Sequence, residues 1–337
     1  MEEPNEVSEL SVSASIGSVD FENCIWNAAG PRCSSVEELK ILEDCTSNGA
    51  IVTKTCTLQM RIGNSFPRVY SDAHTTKDTI SVNSVGLANL GIDEYLKYIR
   101  TRETSKPIFL SIGGLSLREN KDLLTKIRLQ EVKPDCIELN LSCPNIENLG
   151  IVGYDHDNLK RYLTTFTIQI GLMKADGVVI SCGVKLPPYF AKRDFDAVAA
   201  ILNTFKEDID FVTTINGVPG GLVIDIVTER SMIKPKGGMG GMGGTIVKPI
   251  GLANVAQMRR RLSPEIKIIG CGGVKTGADV FEYILAGAEA VEVATQFLIE
   301  GAECFERILG ELVLEMKIKG YRSLEDFRGN FLRNCFN

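Results

Sequence analysis

The feature that most constrains this chain is a repeated alternation of short apolar runs with amphipathic segments. Each run is rich in β-branched or other apolar residues and ends in small or polar ones, which is typical of a buried strand. We place eight such runs at residues 25–29, 50–54, 108–112, 136–141, 179–185, 210–215, 267–270 and 290–294. Helical periodicity follows many of them, for example at residues 35–43, 118–130, 157–170, 194–205 and 278–286. This alternation predicts an α/β fold, a (β/α)8 TIM barrel with long loop insertions.

An open, doubly wound sheet is the main alternative to a barrel. Such a sheet would carry a G-x-G-x-x-G fingerprint after its first strand, but the first run here leads into N-A-A-G-P at residues 27–31. The pattern therefore favours a barrel. We expect one domain over residues 16–331, a flexible N-terminal tail at residues 1–15 and a C-terminal tail at residues 332–337.

Two segments are too long for ordinary barrel connections. They cover residues 61–91 and 218–249, and the second contains a run of glycine and methionine at residues 237–244. Loops of this length on a compact scaffold are usually lids or ligand clamps. The alternative for the glycine run is a flexible, disordered turn.

Composition argues against several classes of function. The chain of 337 residues has a net charge of −6 and no block of Lys and Arg, so nucleic acid is not an expected partner. We find neither a secretory signal nor a run near the ~18 apolar residues of a membrane span, and we expect a cytoplasmic protein without a membrane partner. The ten scattered cysteines indicate reduced, mostly buried thiols, and the two histidines lack neighbours at metal-ligand spacing, so no metal is predicted.

The most informative local motif is N-L-S-C-P-N at residues 140–145, directly after a strand-like run. A cysteine at this place could pack, bind metal, form a disulfide or transfer protons. Asn140 and Asn145 on either side of Cys143 suggest that a polar, planar ligand is held beside the thiol. We therefore interpret Cys143 as a candidate acid/base residue, with a structural cysteine as the alternative.

The carboxyl ends of barrel strands form one pocket, so the residues that end each run can be interpreted together. They comprise two lysines, several amides, a thiol and glycine-rich turns, namely Lys54, Thr55, Asn140, Cys143, Lys185, Asn216, Gly217, Gly272, Gly273, Ala294 and Thr295. This set suits an anionic, planar ligand. The glycines after the seventh strand indicate a phosphorylated cofactor, although such a pair can also be only a turn. Each lysine is either a cation beside an electron-accepting ring or a side chain that reaches the rim.

Several motifs in this order resemble those of the class 1A dihydroorotate dehydrogenases. Besides N-L-S-C-P-N they are N-A-A-G at 27–30, T-K-T at 53–55, V-N-S-V-G-L at 82–87, G-V-K at 183–185, I-K-P-K at 233–236 and G-C-G-G at 270–273. The resemblance covers residues 16 to about 331. It implies a TIM barrel that binds FMN, a cytosolic homodimer and an oxidoreductase of pyrimidine biosynthesis. Such an enzyme oxidises dihydroorotate to orotate and passes the electrons to fumarate, which becomes succinate.

The resemblance also implies roles for individual residues. Cys143 would take the C5 proton of dihydroorotate while hydride leaves C6 for the flavin, with Lys54 assisting. Substrate would be bound by Lys54, Asn83, Val85, Gly86, Leu87, Asn140, Asn145, Asn216 and Gly217. Lys185 would lie at the N1 and O2 edge of the flavin. The rest of the FMN site would be Ala29, Gly30, Lys54, Thr55, Asn140 and Ile215, with Gly244, Gly272, Gly273, Ala294 and Thr295 around the phosphate.

The chain departs from the family pattern at several positions. Gly217 replaces a serine that would donate to the substrate, Val85 replaces a methionine, and residues 146–151 differ from the usual lid sequence. Ala294 replaces a glycine, and its methyl group could crowd the phosphate unless the backbone has a negative φ. Two alternatives follow from these departures. One is a divergent FMN oxidoreductase acting on another dihydropyrimidine or cyclic substrate, and the other is a non-catalytic flavin-binding barrel.

Overall fold

The computed structural model describes residues 10–72, 78–143 and 150–336 of the chain. Its strands are β1 (Ala14–Ile16), β2 (Val19–Phe21), β3 (Ile25–Asn27), β4 (Ile51–Val52), β5 (Val69–Asp72), β6 (Ile80–Asn83), β7 (Ile108–Ile112), β8 (Cys136–Asn140), β9 (Ser181–Leu186), β10 (Phe211–Thr214), β11 (Val218–Leu222), β12 (Ile224–Asp225), β13 (Arg230–Ser231), β14 (Met239–Gly243), β15 (Lys267–Cys271) and β16 (Ala290–Val293). Its helices are α1 (Val36–Asp44), α2 (Ile92–Thr101), α3 (Leu117–Arg128), α4 (His156–Ala175), α5 (Lys192–Asn203), α6 (Lys248–Arg259), α7 (Gly277–Leu285), α8 (Thr295–Glu300), α9 (Glu303–Lys319) and α10 (Asn330–Phe336).

A sheet of eight parallel strands forms the barrel, in the order β3-β16-β15-β10-β9-β8-β7-β4. These strands are the eight predicted runs, with ends that shift by at most two residues. The five segments given as examples of helical periodicity correspond to α1, α3, α4, α5 and α7. The predicted α/β TIM barrel is therefore confirmed.

The side chain of Asn27 bridges the seam between β3 and β4. Its Nδ2 donates to Val52 O at 2.7 Å, and its Oδ1 accepts from Val52 N at 3.0 Å. The backbone N–H of Asn27 in turn donates to Asn48 Oδ1 at 3.0 Å. Buried backbone groups need hydrogen-bond partners. At this seam one amide side chain supplies the partners that neighbouring strands supply elsewhere in the barrel.

The hairpin of β1 and β2 covers the amino-terminal end of the barrel, where Ser181 Oγ donates to Ile16 O at 2.8 Å. Its Phe21 stacks on Trp26 with ring centroids 4.7 Å apart, and Trp26 stacks on Phe109 at 5.5 Å. The predicted end of the N-terminal tail at residue 15 differs from the structure, because β1 begins at Ala14, while residues 1–9 of that tail lie outside the described residues. The predicted C-terminal tail at 332–337 also differs, since α10 continues through most of it.

The two long segments pair with each other in an antiparallel sheet of four strands, in the order β11-β14-β6-β5. The glycine run supplies β14, so its interpretation as a disordered turn is wrong for this strand. Glycine is required at Gly240 because a Cβ would lie 2.3 Å from Asn83 O of the neighbouring strand. This sheet lies beside the carboxyl ends of the barrel strands.

The cysteines agree with the sequence-based expectation of reduced thiols. All ten are free, and seven of them are buried. Among the described residues, no helix is long and apolar enough to cross a membrane.

Candidate functional site

One large cavity opens at the carboxyl ends of the barrel strands, between the barrel and the small sheet. Its volume is about 760 Å³, within the range of about 300–1,000 Å³ that is usual for small-molecule sites. Every predicted site residue that the structure describes lines it: Ala29, Gly30, Lys54, Thr55, Asn83, Val85, Gly86, Leu87, Asn140, Cys143, Lys185, Ile215, Asn216, Gly217, Gly244, Gly272, Gly273, Ala294 and Thr295. Asn145 lies outside the described residues. The cavity brings these residues together, and their individual roles stay predictions.

A chain of hydrogen bonds fixes the amides on one wall of the cavity. Asn140 Nδ2 donates to Thr55 Oγ1 at 3.1 Å, and Asn140 Oδ1 accepts from the hydroxyl of Ser142 at 2.9 Å. The same hydroxyl accepts from Asn216 Nδ2 at 2.8 Å, and Asn216 Oδ1 accepts from Gly217 N at 2.9 Å. The ends of β4, β8 and β10 are thereby tied into one preorganised surface of donors and acceptors.

Lys54 and Cys143 face the same space from β4 and β8. Lys54 Nζ donates to Ala29 O at 3.0 Å. Burial lowers the pKa of Lys54, while charge on Cys33 and Cys143 opposes that lowering. The interaction is reciprocal, so a protonated Lys54 favours the thiolate form of Cys143. This pairing suits a thiol that must accept a proton.

A buried ion pair lies below the cavity. Lys185 Nζ contacts Glu292 Oε2 and lies 3.9 Å from Cys271 Sγ. Burial disfavours the charge on Lys185, but Cys271, Glu292 and Glu138 outweigh it, so the pKa of Lys185 is raised. Burial raises the pKa of Glu292 to about 7 although Lys185 lowers it. The raised pKa favours the protonated form of Lys185, which lines the cavity.

Glycines shape the end of the cavity between β15 and β16. Gly273 has φ +76°, and a Cβ on it would lie 2.7 Å from Lys248 N. Gly244 has φ +90°, and a Cβ there would lie 2.2 Å from Thr79 O. These positions require glycine and form a backbone cradle of the kind that approaches phosphate closely. Ala294 has φ −117°, so the negative φ that an alanine needs here is present.

The loop after β6 carries three predicted substrate residues, Val85, Gly86 and Leu87. Gly86 has φ +72° and Leu87 has φ +54°, although leucine rarely adopts a positive φ. Leu87 is buried and lines the cavity next to Asn140. Strain of this kind often occurs at ligand sites, where the fold holds a side chain in place.

The sequence interpretation passed over several residues that support or line the cavity. Ser142 links Asn140 to Asn216, and its position inside the N-L-S-C-P-N motif was the available signal. Glu292 is a charged residue inside the apolar run 290–294, which for a buried strand indicates a partner. Other omissions lie at the rim, where Arg61 and Arg68 line the cavity together with the exposed apolar side chains Met60, Ile62 and Phe66.

The fold and this cavity define a (β/α)8-barrel protein with one large cavity and a preorganised polar wall at its strand ends. The family model for dihydroorotate dehydrogenase matches residues 11–316. The chain belongs to the dihydroorotate dehydrogenase family.

Relatives and solved structures agree with this assignment. The chain is 44% identical to "Dihydroorotate dehydrogenase (fumarate)" of Trypanosoma cruzi over 92% of this chain and 94% of that protein. It is 42% identical to "Probable dihydroorotate dehydrogenase A (fumarate)" of Streptococcus pneumoniae over 95% of this chain and 98% of that protein. The crystal structure of ligand-free DHODH from Eimeria tenella has the same fold, with a TM-score of 0.77, 20% identity and coverage of 98% of this chain and 94% of that chain. The resemblance to the class 1A enzymes is thus confirmed.

Proposed function

We propose that this chain oxidises dihydroorotate to orotate with bound FMN and passes the electrons to fumarate, as a step of pyrimidine biosynthesis. The observation that carries the proposal is the placement of Cys143, Lys54 and the Asn140–Asn216 amides around the same cavity as the buried cation Lys185. A thiol, two cations and a fixed set of amides supply a base, charge neutralisation and hydrogen bonds for a planar carboxylate.

The residues present fit FMN. The cavity of about 760 Å³ can hold a tricyclic ring with a substrate, and the glycine cradle at Gly244, Gly272 and Gly273 suits a phosphate. Lys185 would face the N1 and O2 edge, and Ala29, Gly30, Thr55, Asn140 and Ile215 would line the ring. When bound, FMN supplies the acceptor for the hydride.

The protein's own residues would bind the substrate and move its proton. Cys143 would accept the proton from C5 of dihydroorotate as a hydride leaves C6, so two electrons and two protons leave in total. Lys54 would neutralise the carboxylate and favour the thiolate. Asn83, Asn140, Asn145, Asn216 and the 85–87 loop would hold the ring. Fumarate would take the same two electrons with two protons and leave as succinate.

A divergent oxidoreductase with another cyclic substrate is the second candidate, and Gly217 favours it. At this position the cavity wall has no hydroxyl, and the backbone N–H of Gly217 already donates to Asn216 Oδ1 at 2.9 Å, so a substrate without an acceptor group here would lose no hydrogen bond.

We also propose a cytoplasmic homodimer, from the resemblance to the class 1A enzymes. The hairpin of β12 and β13 supports a dimer contact because it exposes Ile224, Ile226 and Val227, the last two almost fully. Sedimentation of the protein and of an Ile226→Asp variant tests this. A dimer that dissociates in the variant is expected, and a monomeric parent protein would contradict the proposal.

The decisive experiment is anaerobic stopped-flow mixing of the FMN-loaded protein, first with dihydroorotate and then with fumarate. We expect dihydroorotate to bleach the flavin absorbance and fumarate to restore it. Cys143→Ser should slow bleaching at least a hundredfold at neutral pH, because a serine hydroxyl is a much weaker base than a thiolate. Cys335→Ser is the matched control, since Cys335 is an exposed thiol on α10. A protein that binds flavin but is not bleached would support the second candidate.

A further inference from the structure

Glu292 is a carboxylate to which the proposed reaction gives no role. It lies on β16, is fully buried, and contacts the ammonium of Lys185 on β9. In the sheet, β15 and β10 separate these two strands, so the ion pair crosses the interior of the barrel. Lys185 lines the cavity from above this contact. A ligand that binds against Lys185 therefore interacts with the combined charge of Lys185 and Glu292, and not with the charge of an isolated lysine.

The cluster around this pair is short of positive charge and of hydrogen bonds. A second buried carboxylate, Glu138 on β8, accepts from Ser111 Oγ at 3.1 Å through Oε1. Glu138 Oε2 and Glu292 Oε1 have no hydrogen-bond partner within the described part of the chain. With both carboxylates ionised, a single lysine would face two negative charges in a barrel interior. Such an arrangement is unfavourable, and a proton on one carboxylate relieves it.

Glu292 is the carboxylate placed to hold that proton. The titratable groups that face it are Lys185 from β9, Glu138 from β8 and Cys271 from β15. Beyond them, Cys33 interacts with the same pair. Burial raises the pKa of Glu292 to about 7, and Glu138 adds to the rise. The thiol of Cys271 stays protonated at neutral pH because burial raises its pKa to about 12.

We propose that Glu292 is a positioning residue that sets the charge Lys185 presents to the flavin, and that its protonation couples the reduction potential of the bound flavin to pH. The inference rests on the proposed function only in placing the flavin ring against Lys185. Oxidation of dihydroorotate would deliver a hydride, two electrons with one proton, to the flavin and a second proton to Cys143. Negative charge would therefore collect at the ring edge that Lys185 would face.

The sign of the effect follows from the charges. Ionised Glu292 offsets Lys185 and makes reduction of the flavin less favourable. Protonated Glu292 leaves the full charge of Lys185 available and makes reduction more favourable. As pH rises through about 7, where Glu292 ionises, the potential should fall more steeply than on either side. Glu292→Gln mimics the protonated form at every pH.

The test is equilibrium titration of the FMN-loaded protein against a reference dye, without dihydroorotate, from pH 5.5 to about 9. We expect the equilibrium constant for reduction to rise on the order of tenfold at the high-pH end in Glu292→Gln, which is about 30 mV for a two-electron couple. We expect the variant to lose the steeper region near neutral pH. Glu289→Gln is the matched control, because Glu289 is also buried but pairs with Arg328 and Lys267 away from the cavity.

A double variant tests whether Glu292 acts through Lys185. Without the cation, burial would keep Glu292 protonated, so Glu292→Gln should change the potential little in a Lys185→Gln background. Equal potentials in the parent protein and in Glu292→Gln at every pH would overturn the inference while leaving the proposed function in place. If a variant does not fold, the pH dependence of the reduction potential in the parent protein is the test. A potential that does not fall more steeply near neutral pH also overturns the inference. Failure of the parent protein to retain FMN would overturn both.

Discussion

Removing the Ser142 hydroxyl tests whether the amide wall of the cavity positions the substrate. Ser142→Ala deletes the bond to Asn140 Oδ1 at 2.9 Å and the bond from Asn216 Nδ2 at 2.8 Å. Asn216 Nδ2 then keeps only a long contact of 3.4 Å to Asn140 Oδ1. Two lost hydrogen bonds should lower the free energy of unfolding by about 1–3 kcal/mol.

Ligand affinity should fall for a different reason. Asn140 stays held through the backbone N–H of residue 142 and through Thr55 Oγ1, both at 3.1 Å, but Asn216 would become free to turn, and ordering it again on binding costs about 0.5–1.5 kcal/mol. We therefore expect orotate to bind about twofold to tenfold more weakly to Ser142→Ala in isothermal titration calorimetry.

The control is a serine that is equally buried but remote from the cavity. Ser181 donates to Ile16 O at 2.8 Å and accepts from Ser18 N at 3.0 Å at the opposite end of the barrel. Ser181→Ala should lose comparable stability and keep its affinity for orotate. If Ser142→Ala binds orotate as tightly as the parent protein, the network does not position the ligand and the reasoning is refuted.

Three further substitutions test the seam, the substrate and the phosphate cradle. Asn27→Ala leaves backbone groups of β4 unpaired, so urea titration should show a loss of about 2–4 kcal/mol in the free energy of unfolding. Gly217→Ser restores a donor and should lower the dihydroorotate Kd about fivefold to tenfold in calorimetry, whereas unchanged or weaker binding indicates another substrate. Gly273→Ala puts a Cβ 2.7 Å from the backbone of α6 and should weaken FMN binding at least tenfold by fluorescence titration, while Gly310→Ala, in open space, should not.

The barrel could be predicted from sequence because its strands are buried on both faces. Strands such as β7 and β9 contain only buried residues, so each reads as a continuous run without alternation. The convergence of strand ends then placed residues as distant as Thr55 and Asn216 in one cavity without any knowledge of contacts.

The small sheet could not be predicted in the same way. Its β14 consists of Met239, Met242 and three glycines, which have little intrinsic preference for a strand. It forms because Gly241, Met242 and Gly243 pair with Asn83, Val82 and Ser81, far away in sequence. The glycines are needed for this close approach of two backbones. Local propensity and tertiary pairing therefore point in opposite directions at this run.

The charge that lines the cavity was also not fully predicted, although the sequence contains a signal for it. Lys185 can be placed at the cavity from its strand end, but its partner Glu292 follows 107 residues later. The run at 290–294 places one carboxylate among apolar residues of a buried strand, and a buried charge requires a partner. In a barrel, that partner must come from an inward-facing residue of another strand, and Lys185 is such a residue. When a barrel sequence is interpreted, inward-facing acidic residues and lysines should therefore first be considered as ion pairs. Only a lysine without such a partner should be expected to present its full positive charge to a ligand.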